Sequence, residues 1–260
     1  MTAEIRELFE LEELKQVADL FAVVWGRPDE PPISSDILRA LSHSGNYVAA
    51  SFAAGSMTGG LVGWLGGTPP DHLLMHSHIL GVLPGIEARG LGFELKQHQR
   101  RWCLDRGVKV MEWTTDPLIR RNVYFNLAKL GATAPEYLVD FYGAMRDQFN
   151  AGDESDRLLI RWDLESSRTG ELDVDKLRAW GADDVLTVGE HEQPVTGRAK
   201  SRVLLCQVPD DIVDIRRRDA GLAREWRLAL RHALGDALSR GYAISGASKS
   251  GWYVLESGTA

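Results

Sequence analysis

The sequence lacks a long hydrophobic run, since no stretch approaches the roughly 18 uninterrupted apolar residues that a membrane-spanning helix needs. Its opening residues, MTAEIREL, also lack the basic start and apolar run of a secretory signal peptide. An excess of positive charge is absent as well, because 30 lysines and arginines stand against 37 aspartates and glutamates. These absences predict a cytoplasmic protein whose partners include neither a membrane nor a nucleic acid.

Cysteine is scarce, with only Cys103 and Cys206 in 260 residues. Both fall in apolar segments, and neither has a second cysteine or a histidine nearby at the spacing of metal ligands. We expect two buried, free thiols and no disulfide or catalytic cysteine.

What is present is an ordinary globular composition, 44% hydrophobic and 26% charged. Segments with strand and helix periodicity alternate along the chain, which predicts an α/β architecture. We expect one domain over residues 1–165, a linker or insertion over 166–201 and a strand-helix-strand unit over 202–260. The last helix should pack through a four-residue apolar stripe formed by Leu222, Trp226, Leu230, Leu234 and Leu238.

A glycine-bearing turn, LPGIEARGLG, joins a strand predicted to end at Val82 to a helix predicted to begin near Leu91. The first N–H groups of a helix have no internal partner and lie at the positive end of its dipole, so they suit a pyrophosphate. Gly90 and Gly92 would let that anion approach the backbone, and Arg89 adds a charged donor. The turn has neither the Gly-Lys-Ser/Thr of a P-loop nor the three glycines of a Rossmann fingerprint.

This turn resembles the acyl-CoA loop of the GCN5-related N-acetyltransferase (GNAT) superfamily, in which Gln/Arg-x-x-Gly-x-Gly/Ala follows a strand ending in Val-x-Pro. Here Val82-Leu83-Pro84 precedes Glu87-Ala88-Arg89-Gly90-Leu91-Gly92, so Glu87 departs from the pattern. The order of elements over the first 165 residues also matches. The stretches SHILGV, WTTDPL and NVYFNLAKLGA are similar to a poorly characterised branch of predicted acetyltransferases with a C-terminal extension.

The resemblance implies an α/β (α+β) fold with a mixed central sheet that splays beside the CoA strand, and acetyl-CoA or another acyl-CoA as co-substrate. It places the pantetheine on the backbone of Leu80, Gly81 and Val82. It places the pyrophosphate on the amides of Ala88, Arg89, Gly90, Leu91, Gly92 and Phe93. Asn122 and Asn126, one turn apart on a predicted helix, are candidates for pantetheine amides or else part of a polar surface stripe.

Two histidines on the CoA strand are candidates for the catalytic base. Alternation along the strand predicts one side for His76, His78, Leu80 and Val82. Some superfamily members carry a catalytic carboxylate six residues before the strand-end valine, which is the position of His76, and a neutral imidazole could accept a proton near pH 7. Both histidines are also open to being ordinary polar residues at a wet strand end. Without a third ligand nearby in sequence, they predict no metal site.

Two further candidates come from the next strand and helix. Glu112 lies on the strand after the predicted CoA helix, near where the resemblance places the reacting groups. Many superfamily members protonate the leaving thiolate with a tyrosine whose position here is Leu127, while Tyr124 lies one helical turn earlier. Either another group or solvent would then supply that proton.

The predicted function is transfer of an acetyl or other short acyl group from acyl-CoA to an amine of a small metabolite, with an amino acid as one acceptor. The amine would attack directly in a ternary complex, without a covalent enzyme intermediate. The alternative is a non-catalytic acyl-CoA-binding sensor or scaffold, which Leu127 and Glu87 favour. The C-terminal unit is a candidate for homodimer formation or for docking of another protein. The basic run 216–218, flanked by Asp214 and Asp219, suggests a solvated face.

Overall fold

Strands and helices alternate through the first half of the chain in the order that the hydrophobic pattern predicts. The computed structural model describes residues 4–68, 72–86, 90–145, 153–167, 169–170 and 172–258. The elements up to residue 115 are β1 (Glu4–Glu7), α1 (Leu11–Trp25), α2 (Ser35–His43), β2 (Tyr47–Ala53), β3 (Ser56–Thr68), β4 (His72–Val82), α3 (Leu91–Leu104) and β5 (Val110–Thr115). The later elements are α4 (Arg120–Tyr124), a π-helical segment (Phe125–Lys129), β6 (Thr133–Leu138), β7 (Arg157–Asp163), α5 (Val174–Ala179), β8 (Asp183–Val188), β9 (Pro194–Thr196), β10 (Val203–Gln207), α6 (Ile212–Arg218), α7 (Ala220–Ser239), β11 (Tyr242–Ala247) and β12 (Trp252–Ser257).

The chain divides into two units, one formed by Met1–Trp113 with Asp163–Glu165 and the other by Thr114–Trp162 with Ser166–Ala260. This division differs from the boundary expected at residue 165. The segment 166–201, expected as a linker or insertion, instead contains α5, β8 and β9. The strands β8 and β9 are short, and β8 pairs in parallel with β10 beyond that segment, so local periodicity did not reveal these two strands.

The first unit is a sheet with strand order β1-β2-β3-β4-β5, antiparallel except for the parallel β4–β5 pair. Helix α1 packs on one face, where Val17 and Phe21 join Val62 and Ile79 in a buried cluster. It ends at Gly26, which adopts the left-handed conformation (φ +65°) that glycine tolerates best. Helix α3 lies on the opposite face, so the two faces of β4 have different surroundings.

The second unit has strand order β7-β6-β11-β12-β10-β8-β9, with only β8 and β10 parallel. Trp226, Leu230 and Leu234 of α7 are fully buried, whereas Leu222 and Leu238 are half-buried, so the predicted apolar stripe is confirmed for its three central residues. The C-terminal part is richer than a strand-helix-strand unit, because α6 and β11 are also present.

Both cysteines are buried and free, as expected from the sequence. Burial raises the pKa of Cys103 to about 12 and also raises the pKa of Cys206. Within the part of the chain that the structure describes, no helix combines the length and the apolar character needed to cross a membrane.

Candidate functional site

The first turn of α3 offers backbone donors to an anion. The helix begins after Gly90, which has φ +79°. A Cβ built on Gly90 would have no described atom within 4 Å. The amides of Phe93 and Glu94 donate to Gly90 O, whereas no acceptor is found among the described residues for the N–H groups of Leu91 and Gly92. These two groups lie at the positive end of a helix of 14 residues and fit a phosphate. Glu87, Ala88 and Arg89 lie outside the described residues.

Strands β4 and β5 separate beside this turn. They pair only at Met75 with Met111 and at His76 with Glu112 among the described residues, although β4 continues to Val82. From Ser77 onward, β4 has β3 as its one partner strand within the described part of the chain, in antiparallel register. Alternate residues in such a pair direct their N–H and C=O groups away from the partner strand. The far half of β4, which contains Leu80, Gly81 and Val82, therefore presents backbone groups that fit the amides of a pantetheine arm.

A β-bulge at His78 changes which side chains share a face of β4. Ile79 pairs with Val62 and Ser77 pairs with Gly63, so two consecutive residues of β3 oppose three of β4. Ile79 lies in the buried cluster on the α1 face, whereas Ser77 contacts α3.

The predicted single side for His76, His78, Leu80 and Val82 is therefore wrong. The bulge adds one residue to β4, so simple alternation fails across it. A Cβ built on Gly92 of α3 would lie 3.6 Å from Leu80, which places Leu80 on the α3 face, and Val82, two residues further on, shares that face. The histidines lie on the other face.

On that other face, His76 and His78 pack against Trp64 of β3. The ring centroids of Trp64 lie 4.8 Å from those of His76 and 4.6 Å from those of His78, and the two imidazoles are 5.6 Å apart. Glu112 stands beside His76 in the register of the parallel pair. The structure thus brings three of the predicted catalytic residues together where the strands separate.

Both imidazoles favour the neutral form. Burial lowers the pKa of His76, the positive charge of Lys96 lowers it further, and the charge of Glu112 opposes these effects. The pKa of His78 is also lowered, by burial and by the charge of His76, although the residue as a whole is exposed. Each ring at neutral pH therefore has one nitrogen able to accept a proton.

On the α3 face of the same strands lies a polar group that the sequence analysis missed. Lys96 Nζ donates to Ser77 Oγ at 2.8 Å, lies 3.8 Å from the sulfur of Met111 and is 3.6 Å from the centroid of the Trp113 ring. Ser77 Oγ in turn donates to Gln99 Oε1 at 2.7 Å. The signal was present, since Lys96 and Gln99 interrupt the apolar stripe that Leu95, Trp102 and Cys103 form on α3.

The remaining predicted residues belong to the second unit. Tyr124 ends α4, and its ring lies 5.7 Å from Lys129 Nζ. Asn122 is half-buried in α4, whereas Asn126 is buried in the π-helical segment that follows. Leu127 is buried too and has no proton to donate. The roles assigned to Tyr124, Asn122 and Asn126 stay predictions.

The second unit also contains a buried ionic cluster. Asp116 accepts from Arg227 at 3.1 Å and from Arg216 at 2.7 Å, and Asp153 accepts from the same two arginines. The expectation of a solvated face for residues 216–218 is therefore wrong for Arg216, whose side chain is only 5% exposed. Its partners stand far away in the sequence, so a local reading of charge could not find them.

Within the described residues, no three histidine, cysteine, aspartate or glutamate side chains are arranged to hold a metal ion.

Part of the sequence matches a known protein family, and the fold is similar to that of solved structures. Residues 7–126 match the model of the acetyltransferase (GNAT) family. The sequence has no significant match among curated proteins. Among solved structures, the chain is similar to the ribosomal-protein-S18-alanine N-acetyltransferase from Escherichia coli, with 14% identity, a TM-score of 0.51 and coverage of 64% of this chain and 97% of that one.

Two other solved structures are similar over shorter or looser superpositions. One is an IAA acetyltransferase from Bacillus cereus, with 15% identity, a TM-score of 0.47 and coverage of 62% of this chain and 99% of that one. The other is an aminoglycoside acetyltransferase from an uncultured soil metagenomic sample, with 20% identity, a TM-score of 0.40 and coverage of 44% and 78%. The fold shared with the Escherichia coli enzyme agrees with the separated strands beside α3. Residues 7–126 of this chain form a domain of the acetyltransferase (GNAT) family, whose members are CoA-dependent N-acyltransferases.

Proposed function

We propose that this protein transfers an acetyl or other short acyl group from acyl-CoA to an amine of a small metabolite, by direct attack in a ternary complex. The observation that carries the proposal is the position of His76, a half-buried imidazole held neutral beside Glu112 where β4 and β5 separate. An amino acid is the acceptor suggested by the resemblance to the acetyltransferase branch with a C-terminal extension. The cytoplasm is the proposed location.

The residues around the strand separation fit acyl-CoA as co-substrate. The free amides of Leu91 and Gly92 would bind the pyrophosphate, and the backbone of β4 from Leu80 to Val82 would bind the pantetheine. Bound acyl-CoA supplies a thioester carbonyl and a thiol leaving group. Asn122 and Asn126 are proposed as further hydrogen-bond partners.

His76 is the proposed general base. An acceptor amine arrives mainly as its ammonium, so the base must take a proton, directly or through one water, before the nitrogen can attack. The new C–N bond forms as the C–S bond breaks, and the thiolate takes up a proton from Tyr124 or from water. The balance is acyl-CoA plus ammonium giving amide, CoA thiol and one released proton. His78 is more exposed to solvent than His76 and is therefore the second candidate for the general base.

The first test is calorimetric titration with acetyl-CoA and succinyl-CoA. Gly92 permits a matched pair of variants, because its φ is not left-handed and a Cβ would meet only ordinary contact with Leu80. Gly92→Asp adds a carboxylate, which the positive end of the helix dipole stabilises but which repels phosphate. Gly92→Ala adds only a methyl group. We expect Gly92→Asp to weaken binding by about tenfold or more and Gly92→Ala by less than about threefold. Equal binding to both variants would place CoA elsewhere.

The second test is CoA release with a panel of amines, starting with amino acids. We expect His76→Gln to lower kcat/KM by about 100-fold or more, and His78→Gln to lower it much less. Binding of acyl-CoA without release of CoA for any amine would instead support the non-catalytic sensor or scaffold.

A further inference from the structure

Lys96 is a buried lysine of α3. Its side chain is only 3% exposed, and its ammonium contacts the hydroxyl of Ser77, the sulfur of Met111 and the ring of Trp113. Among the described residues, its ammonium forms no ion pair with a carboxylate. A buried charge of this kind destabilises a fold unless it is paired.

The surroundings of Lys96 do not require a lysine. The neighbouring Leu95 and Cys103 fill the same stripe of α3 with apolar atoms. Burial lowers the pKa of Lys96 to about 7. Cys103, whose charge would raise the pKa of Lys96, stays protonated because burial raises its own pKa to about 12. The positive charge is therefore left uncompensated below neutral pH.

The position of Lys96 relates it to the proposed base. Its two polar contacts, Ser77 and Met111, are the residues adjacent in sequence to His76 and Glu112. Lys96 thus stands behind the last pair of β4 and β5, on the face opposite to the histidines. The groups that face His76 are the rings of Trp64 and His78, the carboxylate of Glu112 and, across the strand, Lys96.

We propose that Lys96 is a positioning residue that keeps His76 in its neutral, proton-accepting form by placing an unpaired positive charge on the opposite face of β4. Its part in catalysis rests on the proposed function of His76, whereas its effect on the imidazole does not. His76 titrates below its ordinary value of about 6.5, where Lys96 still carries its charge. The effect is therefore strongest below pH 7, and it declines as the pH rises through the pKa of Lys96.

The test measures the pKa of the His76 imidazole by NMR in the intact protein, with its signals assigned from the His76→Gln variant. In Lys96→Met, which removes the charge but keeps the length of the side chain, we expect that pKa to rise while staying below its ordinary value, because burial, the larger cause, remains. The matched control is Lys109→Met, which removes an exposed cation paired with Glu165. We expect no change of the His76 pKa in that control.

A second variant separates charge from packing. Lys96→Gln is neutral but still offers a donor to Ser77 Oγ, so it should raise the His76 pKa as Lys96→Met does. An unchanged His76 pKa in either folded variant overturns the proposal. Since both variants remove an unpaired buried charge, we expect their melting temperatures to equal or exceed that of the wild type. A residue with only a structural role would instead lower the melting temperature and leave the His76 pKa unmoved.

The pH dependence of kcat/KM separates this inference from the proposed function. If His76 is the base, the acidic limb of the profile moves to higher pH with the imidazole, and activity on that limb falls by up to about tenfold. If the His76 pKa rises and the limb does not move, the effect of Lys96 on His76 stands and the assignment of His76 as base fails.

Discussion

His76 on β4 and Glu112 on β5 are register partners, and theirs is the last pair before the two strands separate. Lys96 stands on the opposite face of the same strands, against Ser77 and Met111. One imidazole is therefore under the influence of a negative charge beside it and a positive charge behind it. Because the two charges have opposite effects on its pKa, their removal gives opposite and separable results.

Glu112→Gln should shift the acidic limb of kcat/KM to lower pH. The carboxylate raises the pKa of His76, so its loss lowers that pKa, and the imidazole stays neutral further into acid. We expect a shift of a few tenths of a unit to about one unit, with a plateau that falls severalfold because the base is weaker. A pH profile of kcat/KM measures both effects.

The matched control for that prediction is Glu12→Gln, which removes an exposed carboxylate paired with Lys15 on α1. It should leave the profile unchanged. A shift of the limb to higher pH in Glu112→Gln would contradict the electrostatic argument.

Gly63→Ala should destabilise the protein. A Cβ at this position would lie 2.7 Å from Gln99 Nε2, from His76 O and from Met75 Sδ, closer than packed atoms tolerate. We expect a loss of about 1–3 kcal/mol in the free energy of unfolding, measured by urea denaturation. Gly66→Ala on the same strand is the control, because its Cβ would meet Leu74 at an ordinary 3.6 Å. Equal stability of the two variants would contradict this prediction, because it would show that the atoms around Gly63 move apart to accept a Cβ without loss of stability.

The sequence was sufficient for the element order of the first unit and for the group of His76, His78 and Glu112, because these depend on local periodicity and on a motif. It was insufficient for the bulge at His78. A bulge is a property of the register between two strands, and nothing in the residues of β4 alone states that Ile79 and Ser77 oppose consecutive residues of β3.

Long-range pairing explains the other differences. Arg216 looked solvated because its partner Asp116 lies 100 residues earlier in the chain. The strand β8 was missed because a short strand takes its stability from its neighbour β10, not from its own pattern. Lys96 was overlooked although its place in an apolar stripe was visible, since a lysine at such a position is ordinarily assigned to the surface.

Asp116→Asn should strongly destabilise the second unit. The variant would leave the buried guanidinium groups of Arg216 and Arg227 with Asp153 as their remaining anion in this cluster. We expect a loss of about 3–5 kcal/mol in the free energy of unfolding by urea denaturation at pH 7. The control is Asp214→Asn, an exposed partner of Arg217, which should cost less than about 1 kcal/mol.

The same cluster predicts a dependence of stability on pH. Burial disfavours ionisation of Asp116, but the charges of Arg227 and Arg216 outweigh burial and lower its pKa. A carboxyl whose pKa is lower in the folded state contributes stability above its unfolded pKa of about 3.9, and this contribution is lost as pH falls toward the folded value. The urea concentration at which half of the wild-type protein is unfolded should therefore decrease as the pH drops below about 4. For Asp116→Asn this decrease should be smaller. Parallel curves for the two proteins would refute the assignment to Asp116.

Neither cysteine should react in the native protein. Cys103 and Cys206 are fully buried, and the pKa of Cys103 is raised to about 12, so at pH 8 about one Cys103 thiol in ten thousand is a thiolate. A chromogenic disulfide reagent, applied without CoA present, should titrate no thiol in the folded protein and two in denaturant. Acyl transfer should likewise survive prior treatment with iodoacetamide, because direct attack by the amine needs no enzyme nucleophile. Rapid loss of activity together with alkylation of one cysteine would instead show that this thiol is accessible and reactive in the native protein, and would contradict its burial.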